Sequence, residues 1–200
     1  GIRGWEAMEK TVRYMNEEHF KIADAKRGDI GNTSDQYAKA FFETLPFDAI
    51  TVAPYMGEDS VKPFLQYEGK WAIVLGLTSN KGANDFELKK MDNEFLYEKV
   101  FKSVSSWGSP NNLMFVVGAT QADQFINIRK LTPDHFYLVP GVGVQGGSLK
   151  EISEKAMTKD CGILVNASRA IIYAGEKEDF AEEARAIAEQ YQHEMSQYLR

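Results

Sequence analysis

Short apolar runs alternate with amphipathic segments along almost the whole sequence. Apolar residues spaced three to four apart predict helices over residues 5–18, 33–44, 59–67, 93–106, 121–130, 148–157 and 177–199. Runs rich in β-branched and aromatic residues predict strands over residues 20–24, 48–53, 71–77, 113–117, 136–139 and 161–165. The pattern therefore predicts one leading helix followed by six strand–helix units.

The predicted strands are nearly all apolar rather than alternating, as is typical of a parallel sheet covered by helices. Two α/β architectures fit this alternation, a doubly wound open sheet and a barrel. Six units behind a leading helix favour a (β/α)₈ TIM barrel that lacks its first strands, because a typical barrel needs about 250 residues. We therefore expect residues 1–200 to form a single barrel domain that is incomplete at its N-terminus.

Composition argues against several classes of binding partner and against a metal site. The formal net charge of −6 argues against a nucleic-acid or anionic-membrane surface. No apolar run approaches the ~18 residues of a membrane span. The one cysteine, Cys161, lies in an apolar run, which favours a small core residue and a reducing, cytoplasmic location. The three histidines match no ligand spacing, so no metal site is predicted.

A dense group of charges follows the first predicted strand. Asp24 and Lys26 are two residues apart, so on a strand their side chains point to the same side. Gly28 permits a sharp turn, after which Asp29 supplies a second carboxylate. The carboxyl ends of strands form the rim on which barrel enzymes build their sites. A solvated turn with a surface ion pair is the alternative, which the spacing alone leaves open.

A glycine-rich loop over residues 141–147 connects a predicted strand to a helix. It contains G-x-G-x-x-G at Gly141, Gly143 and Gly146, the pattern of dinucleotide-binding folds. Against a nicotinamide cofactor, one further predicted strand follows the motif's own helix, which is too little for a Rossmann half. The loop still predicts exposed backbone N–H groups near a helix N-terminus, which favours a bound anion.

Two further polar segments follow predicted strands. Ser168 and Arg169 begin a short helix after the last strand, where barrels often bind phosphate. The guanidinium group suits a clamp on phosphate oxygens, and a surface ion pair is the alternative. A polar loop over residues 78–84 could read a base edge or act as a lid.

These four segments, in this order, resemble the orotidine 5′-monophosphate decarboxylases over essentially the whole chain. Residues 24–33 resemble the D-x-K-x-x-D signature of that family and its flanks, residues 140–147 its phosphate loop, and residues 168–169 its phosphate-gripping end. Residues 53–57 and 77–80 are similar to the longer bacterial branch. The D-x-K-x-x-D signature by itself is shared with a sister family.

The resemblance implies a carboxy-lyase that converts orotidine 5′-monophosphate to UMP and CO₂ in pyrimidine biosynthesis, without a metal or an organic cofactor. Lys26 would protonate C6 of the pyrimidine, and Asp24 would lie beside the substrate carboxylate. Asp29, with Ile30 and Thr33, would reach into the neighbouring subunit's site. The active unit would then be a homodimer with shared active sites.

The same resemblance assigns the substrate-binding residues. Ser79 would hydrogen-bond the pyrimidine edge, and Pro140 would line the base pocket. Gln145 and Arg169, with the adjacent Ser168, would hold the 5′-phosphate. Binding of the remote phosphate would then drive loop closure and support chemistry at C6.

One departure from the family pattern concerns the first strands. The family uses a second lysine and a ribose-binding aspartate on strands that precede the leading helix, and the chain has no such positions. We therefore expect residues 1–200 by themselves to be inactive and poorly soluble. Two alternatives stay open: a Mg²⁺-dependent 3-hexulose-6-phosphate synthase-like aldolase of the same suite, and a non-catalytic nucleotide-binding barrel.

Overall fold

The computed structural model describes residues 1–143 and 146–199. The contacts between Cα atoms divide the chain into two compact units. Unit 1 comprises Gly1–Leu75 and Ser103–Met114, and unit 2 comprises Gly76–Lys102 and Phe115–Arg200.

Unit 1 alternates helices with parallel strands. Its elements in chain order are α1 (Ile2–Tyr14), β1 (Ile22–Arg27), α2 (Asn32–Lys39), a π-helical turn (Ala40–Thr44), β2 (Ala49–Val52), α3 (Glu58–Val61), a 3₁₀ turn (Lys62–Gln66) and β3 (Trp71–Leu77), of which the last two residues belong to unit 2. Strand β1 pairs with β2, and β2 pairs with β3, both in parallel. All four residues of β2 are buried, as expected for a strand covered on both faces.

Unit 2 continues the same alternation. It holds a 3₁₀ turn (Lys81–Asn84), the hairpin strands β4 (Lys90–Met91) and β5 (Glu94–Phe95), most of α4 (Leu96–Ser105), most of β6 (Leu113–Val117), a second 3₁₀ turn (Ala119–Gln124), α5 (Phe125–Leu131), β7 (Tyr137–Pro140), α6 (Leu149–Ala156), β8 (Ile163–Asn166), α7 (Ser168–Ile172) and α8 (Phe180–Ser196). Strand β6 pairs in parallel with β7, and β7 with β8.

Aromatic side chains fill the space between α4 and the strands of unit 2. The ring of Phe101 on α4 lies 4.5 Å, centroid to centroid, from that of Phe115 on β6. The same ring occupies the space that a Cβ atom at Gly76 would need, so a side chain at this position of β3 would displace α4. Both rings are fully buried. Strand β3 has a glycine at this position because α4 packs directly against the strand's backbone.

The predicted alternation of strands and helices is confirmed, with differences at several boundaries. The strands predicted at 71–77 and 113–117 are both found with these bounds. The helix predicted over 33–44 ends in a π-helical turn, and the one predicted over 121–130 begins as a 3₁₀ turn. The sequence pattern does not predict the hairpin of β4 and β5, because each of its strands has only two residues. That residues 1–200 form one domain stays a prediction.

One of the three histidines, His135, is buried in unit 2. Within the described residues neither of its ring nitrogens has a hydrogen-bond partner, and its ring packs 5.5 Å from that of Phe115. Burial lowers the pKa of His135, the charge of Arg129 lowers it further, and Asp134 partly opposes both effects. The folded state therefore holds the neutral imidazole.

We expect acid to destabilise the fold through His135. Because its pKa is lower in the folded than in the unfolded state, the unfolded chain binds the proton first as pH falls below about 6.5, and stability drops. In urea titrations at about pH 7 and about pH 5, His135→Leu should lose less stability than the unsubstituted protein. An equal loss in both proteins would show that His135 is not the group responsible.

Among the helices of residues 1–143 and 146–199, none combines the length and apolar character that crossing a bilayer requires.

Candidate active site

The charged segment of unit 1 lies at the carboxyl end of β1. Lys26 Nζ is 2.5 Å from Asp24 Oδ1, and both side chains are about half exposed. The predicted proximity of Lys26 and Asp24 is therefore confirmed, although not by a regular strand. Lys26 has a φ of +47°, in the left-handed region, and the pairing of β1 with β2 shifts register between Ala23 and Arg27. A bulge at a strand end re-aims side chains, here those of an ammonium and a carboxylate.

A second carboxylate, Asp29, is fixed through its backbone. Its N–H donates to the hydroxyl oxygen of Ser34, 3.1 Å away, and the same hydroxyl lies 2.6 Å from the Asp29 carbonyl oxygen and 3.1 Å from that of Ser60. Ser34 is fully buried on α2, so it ties the start of this helix to the turn. The Ile30 side chain is exposed, and Thr33 lies in the first turn of α2.

Lys26 contacts one carboxylate rather than two. In the part of the chain that the structure describes, its recorded ion pair is with Asp24, and none is recorded with Asp29. Within the described part of the chain, Asp24 and Asp29 are therefore not both ion-pair partners of Lys26. The Asp29 backbone is instead held against the Ser34 hydroxyl on α2.

The polar loop of unit 2 is held at its base by a carboxylate. Glu87 accepts from the Thr78 N–H at 2.7 Å and from the Thr78 hydroxyl at 2.8 Å. The Gln121 side-chain amide donates to the Thr78 carbonyl at 3.1 Å. A Cβ atom at Gly118 would lie 2.6 Å from the Ser79 backbone nitrogen, so only glycine permits this approach. Ser79 is thus anchored where β3 and β6 end.

The glycine-rich loop follows β7 and closes on itself. Gly143 N–H donates to the Gly147 carbonyl at 3.1 Å, Gly147 N–H to the Gly141 carbonyl at 3.2 Å, and Gly146 N–H to the Gly143 carbonyl at 2.8 Å. The positive φ angles of Gly141, Gly143 and Gly146 make this closure possible. The expectation of free N–H groups is therefore wrong for Gly143, Gly146 and Gly147 in this conformation. The predicted phosphate ligand Gln145 lies outside the described residues.

Ser168 and Arg169 begin α7, directly after β8. The Ser168 hydroxyl donates to the Asn166 side-chain oxygen at 2.9 Å. Arg169 is exposed, and the described residues provide it with no recorded ion pair, so the alternative of a surface ion pair is not supported. Pro140 ends β7 in register with Asn166 of β8. The glycine-rich loop and α7 therefore leave neighbouring strands at the same edge of the sheet in unit 2.

The candidate residues fall into two groups, one in each unit. Unit 1 brings Asp24 and Lys26 together and carries Asp29, Ile30 and Thr33 on the segment that follows them. Unit 2 carries Ser79, Pro140, Ser168 and Arg169, each at or just after the carboxyl end of a parallel strand. Residues 1–143 and 146–199 contain no cluster of three or more His, Cys, Asp or Glu side chains arranged to hold a metal ion.

The sequence matches one protein-family model over nearly its whole length. The model describes the orotidine 5′-phosphate decarboxylase / HUMPS family and covers residues 3–187. The chain belongs to this family. Members named orotidine 5′-phosphate decarboxylase include those of Bacteroides fragilis, 56% identical over 204 residues, and Phocaeicola vulgatus, 56% identical over 203 residues. Both matches span 100% of this chain, and they cover 74% and 75% of the respective relatives.

Solved structures of family members have the same fold. A Leishmania donovani OMP decarboxylase matches with a TM-score of 0.85 at 34% identity, covering 98% of this chain and 76% of that one. Leishmania donovani UMP synthase matches with a TM-score of 0.87 at 37% identity, covering 98% of this chain but only 44% of the longer synthase. A Methanocaldococcus jannaschii orotidine 5′-monophosphate decarboxylase, solved with the inhibitor BMP, matches with a TM-score of 0.72 at 26% identity over 94% of this chain and 80% of that one.

Membership of the decarboxylase family confirms the predicted TIM-barrel fold class and disfavours the dinucleotide-binding interpretation of the glycine-rich loop. Two residues at the site were not predicted. Thr51 on β2 contacts both Asp24 and Lys26, and Glu87 supports the polar loop. The available signal for Thr51 was a hydroxyl inside the apolar run of residues 49–52. Glu87 carried no comparable signal, since acidic residues are common in loops.

Proposed function

We propose that this protein decarboxylates orotidine 5′-monophosphate to UMP and CO₂ in pyrimidine biosynthesis. The observation that carries the proposal is the 56% identity, over the whole chain, with orotidine 5′-phosphate decarboxylases. The pairing of Lys26 with Asp24 at a strand's carboxyl end supports it, because this reaction needs a proton donor beside a site that disfavours the substrate carboxylate.

In the proposed reaction the bond between C6 and the carboxylate carbon breaks, and CO₂ leaves. The electron pair stays on C6, where the ammonium group of Lys26 stabilises it and then transfers a proton to it. Asp24 lies beside the substrate carboxylate and raises the energy of the bound substrate more than that of the transition state, in which the negative charge has moved away. Preorganised charge then accounts for most of the rate enhancement.

We assign substrate binding to the residues of unit 2. Ser79 hydrogen-bonds the pyrimidine edge, Pro140 lines the base pocket, and Gln145, Ser168 and Arg169 hold the 5′-phosphate. The exposed guanidinium of Arg169, with no recorded ion pair among the described residues, supports this assignment. Because the N–H groups of Gly143, Gly146 and Gly147 donate within the loop, we assign the phosphate contacts mainly to side chains.

We further propose that the active form is a cytoplasmic homodimer with shared sites. Asp29 does not pair with Lys26 within the described part of the chain, and Ile30 beside it is exposed. Both features fit a segment that completes the site of a second copy. We also propose that residues 1–200 belong to one barrel domain.

The experiment that tests the function follows the absorbance of orotidylate with the full-length protein that contains residues 1–200. We expect the absorbance of orotidylate to fall at the same rate with and without EDTA, because the proposed chemistry needs no metal. Activity that EDTA abolishes would instead support the Mg²⁺-dependent aldolase branch of the family. Absence of any decarboxylation would contradict the proposed function.

A further inference from the structure

The strand register at the charged pair leaves one residue of β2 opposite three residues of β1. Ala23 pairs with Ile50, and the next recorded pair is Arg27 with Val52. Residues 24–26 of β1 therefore face a single residue of β2, Thr51. Such a bulge takes the extra residues out of the regular ladder, so their backbone groups need other partners.

The side chain of Thr51 supplies a partner for one of these backbone groups. Its hydroxyl oxygen accepts the Lys26 backbone N–H at 2.9 Å. The same hydroxyl lies 3.1 Å from Asp24 Oδ1 and 3.5 Å from the Ala23 carbonyl oxygen. A hydroxyl has one hydrogen, and 3.1 Å is the better distance for it, so the hydroxyl donates to the Asp24 carboxylate. One fully buried side chain thus bonds both members of the ion pair.

The two bonds of the Thr51 hydroxyl restrain the Lys26 main chain and the Asp24 carboxylate. Lys26 has a φ of +47°, which a residue with a side chain adopts at a cost, and the bond from its N–H stabilises this conformation. Asp24 Oδ1 accepts both from Thr51 and from Lys26 Nζ, so the hydroxyl adds a second bond that restrains the carboxylate beside the ammonium. Both side chains of the pair are half exposed, whereas the Thr51 hydroxyl that bonds them belongs to a fully buried residue.

We propose that Thr51 is a positioning residue, whose buried hydroxyl holds the Asp24 carboxylate and the Lys26 main chain in the geometry that decarboxylation requires. This proposal rests on the proposed function, since it acts through residues assigned to that reaction. Because Thr51 is fully buried and bonds Asp24 and Lys26, it would act through these two residues rather than on the substrate. Its loss therefore lowers the rate of the chemical step more than it weakens substrate binding, as displacement of a catalytic group does.

The test compares Thr51→Val, Thr51→Ser and the unsubstituted full-length protein. Valine keeps the shape and removes both hydrogen bonds. We expect Thr51→Val to lower kcat for orotidylate by about 10- to 100-fold, with KM changed by less than about 3-fold. Thr51→Ser keeps the hydroxyl, and we expect it to restore kcat to within about 3-fold of the unsubstituted value.

Ile50→Val is the matched control, because it removes a buried methylene group from the neighbouring position of the same strand, and an isoleucine side chain forms no hydrogen bond to Asp24 or Lys26. We expect it to lower thermal stability and to leave kcat unchanged. If Thr51→Val does not accumulate as folded protein, Thr51→Cys carries the same prediction, since a thiol is a weak donor and acceptor.

The possible outcomes distinguish the role of Thr51 from the proposed function. An active unsubstituted protein together with unchanged kcat in Thr51→Val or Thr51→Cys would overturn the role of Thr51 and leave the proposed function standing. The role of Thr51 would also be overturned if Ile50→Val lost as much kcat as Thr51→Val, or if serine failed to restore it. An unsubstituted protein that does not decarboxylate orotidylate would contradict both claims.

Discussion

Replacement of Lys26 by alanine should lower kcat/KM for orotidylate by at least about 10³-fold. The substitution removes the proposed proton donor to C6 and the cation that stabilises the carbanion, two contributions that matter only while CO₂ departs. It also leaves the Asp24 carboxylate without the partner now 2.5 Å away. Binding of UMP should stay within about 10-fold of the unsubstituted protein, because the proposed phosphate contacts are made by other residues.

The measurement is the loss of orotidylate absorbance, with UMP affinity from calorimetry. Lys62→Ala is the matched control, because Lys62 lies on the same unit and forms an exposed ion pair with Glu58 at 2.9 Å within one helical turn. Such pairs contribute about 0.5 kcal/mol or less, so this control should keep full activity. A Lys26→Ala protein that retains a tenth or more of the activity would exclude Lys26 as the proton donor; loss of UMP binding would point to a role in binding instead.

Replacement of Arg129 by methionine should destabilise the protein by about 3–5 kcal/mol. The guanidinium donates to five carbonyl oxygens, those of Thr132, Pro133, His135, Ala156 and Gly162, at 2.7–3.2 Å. It also lies over the ring of Tyr137, 3.8 Å from its centroid. Burial lowers the pKa of Arg129, so these bonds and the ring must compensate for a desolvated charge. Methionine fills the space of the stem but leaves the carbonyl oxygens without a donor.

Urea denaturation and thermal melting measure this loss, which corresponds to a fall of roughly 10 °C in Tm for a chain of this size. Arg185→Met on α8 is the control, because Arg185 is largely exposed and its recorded partner among the described residues is Glu189, at 2.7 Å, one turn away. It should change stability by less than about 0.5 kcal/mol. If Arg129→Met and Arg185→Met proved equally stable, the carbonyl contacts of Arg129 would contribute nothing net to folding.

The sequence predicts the order of strands and helices well, because fully apolar runs bounded by turn residues carry the information locally. It does not predict the hairpin of β4 and β5, whose signal is confined to the turn residues Asp92 and Asn93, both with positive φ. The role of Arg129 is equally hidden. Basic residues are common in the last turn of a helix, so Arg129 does not stand out in the sequence. Its five acceptors include one as distant in the chain as Gly162.

At the site, the sequence predicts which residues carry charge but not how the backbone presents them. Spacing by two places Asp24 beside Lys26, and the structure agrees. The bulge that creates the contact depends on the pairing of β1 with β2, a long-range property that local spacing does not contain. The sequence also does not show that the N–H groups of Gly143, Gly146 and Gly147 are bonded to the loop's own carbonyl groups. The bond from the Asp29 N–H to Ser34 likewise depends on how α2 packs, which local spacing does not contain.

The most direct test of the proposed mechanism is a crystal structure of the full-length protein with UMP. We expect Lys26 Nζ to lie within about 4 Å of C6, while the Arg169 guanidinium bonds the 5′-phosphate of the same nucleotide. A nucleotide that is bound with Lys26 directed away from C6, or with its phosphate remote from Arg169, would contradict the mechanism.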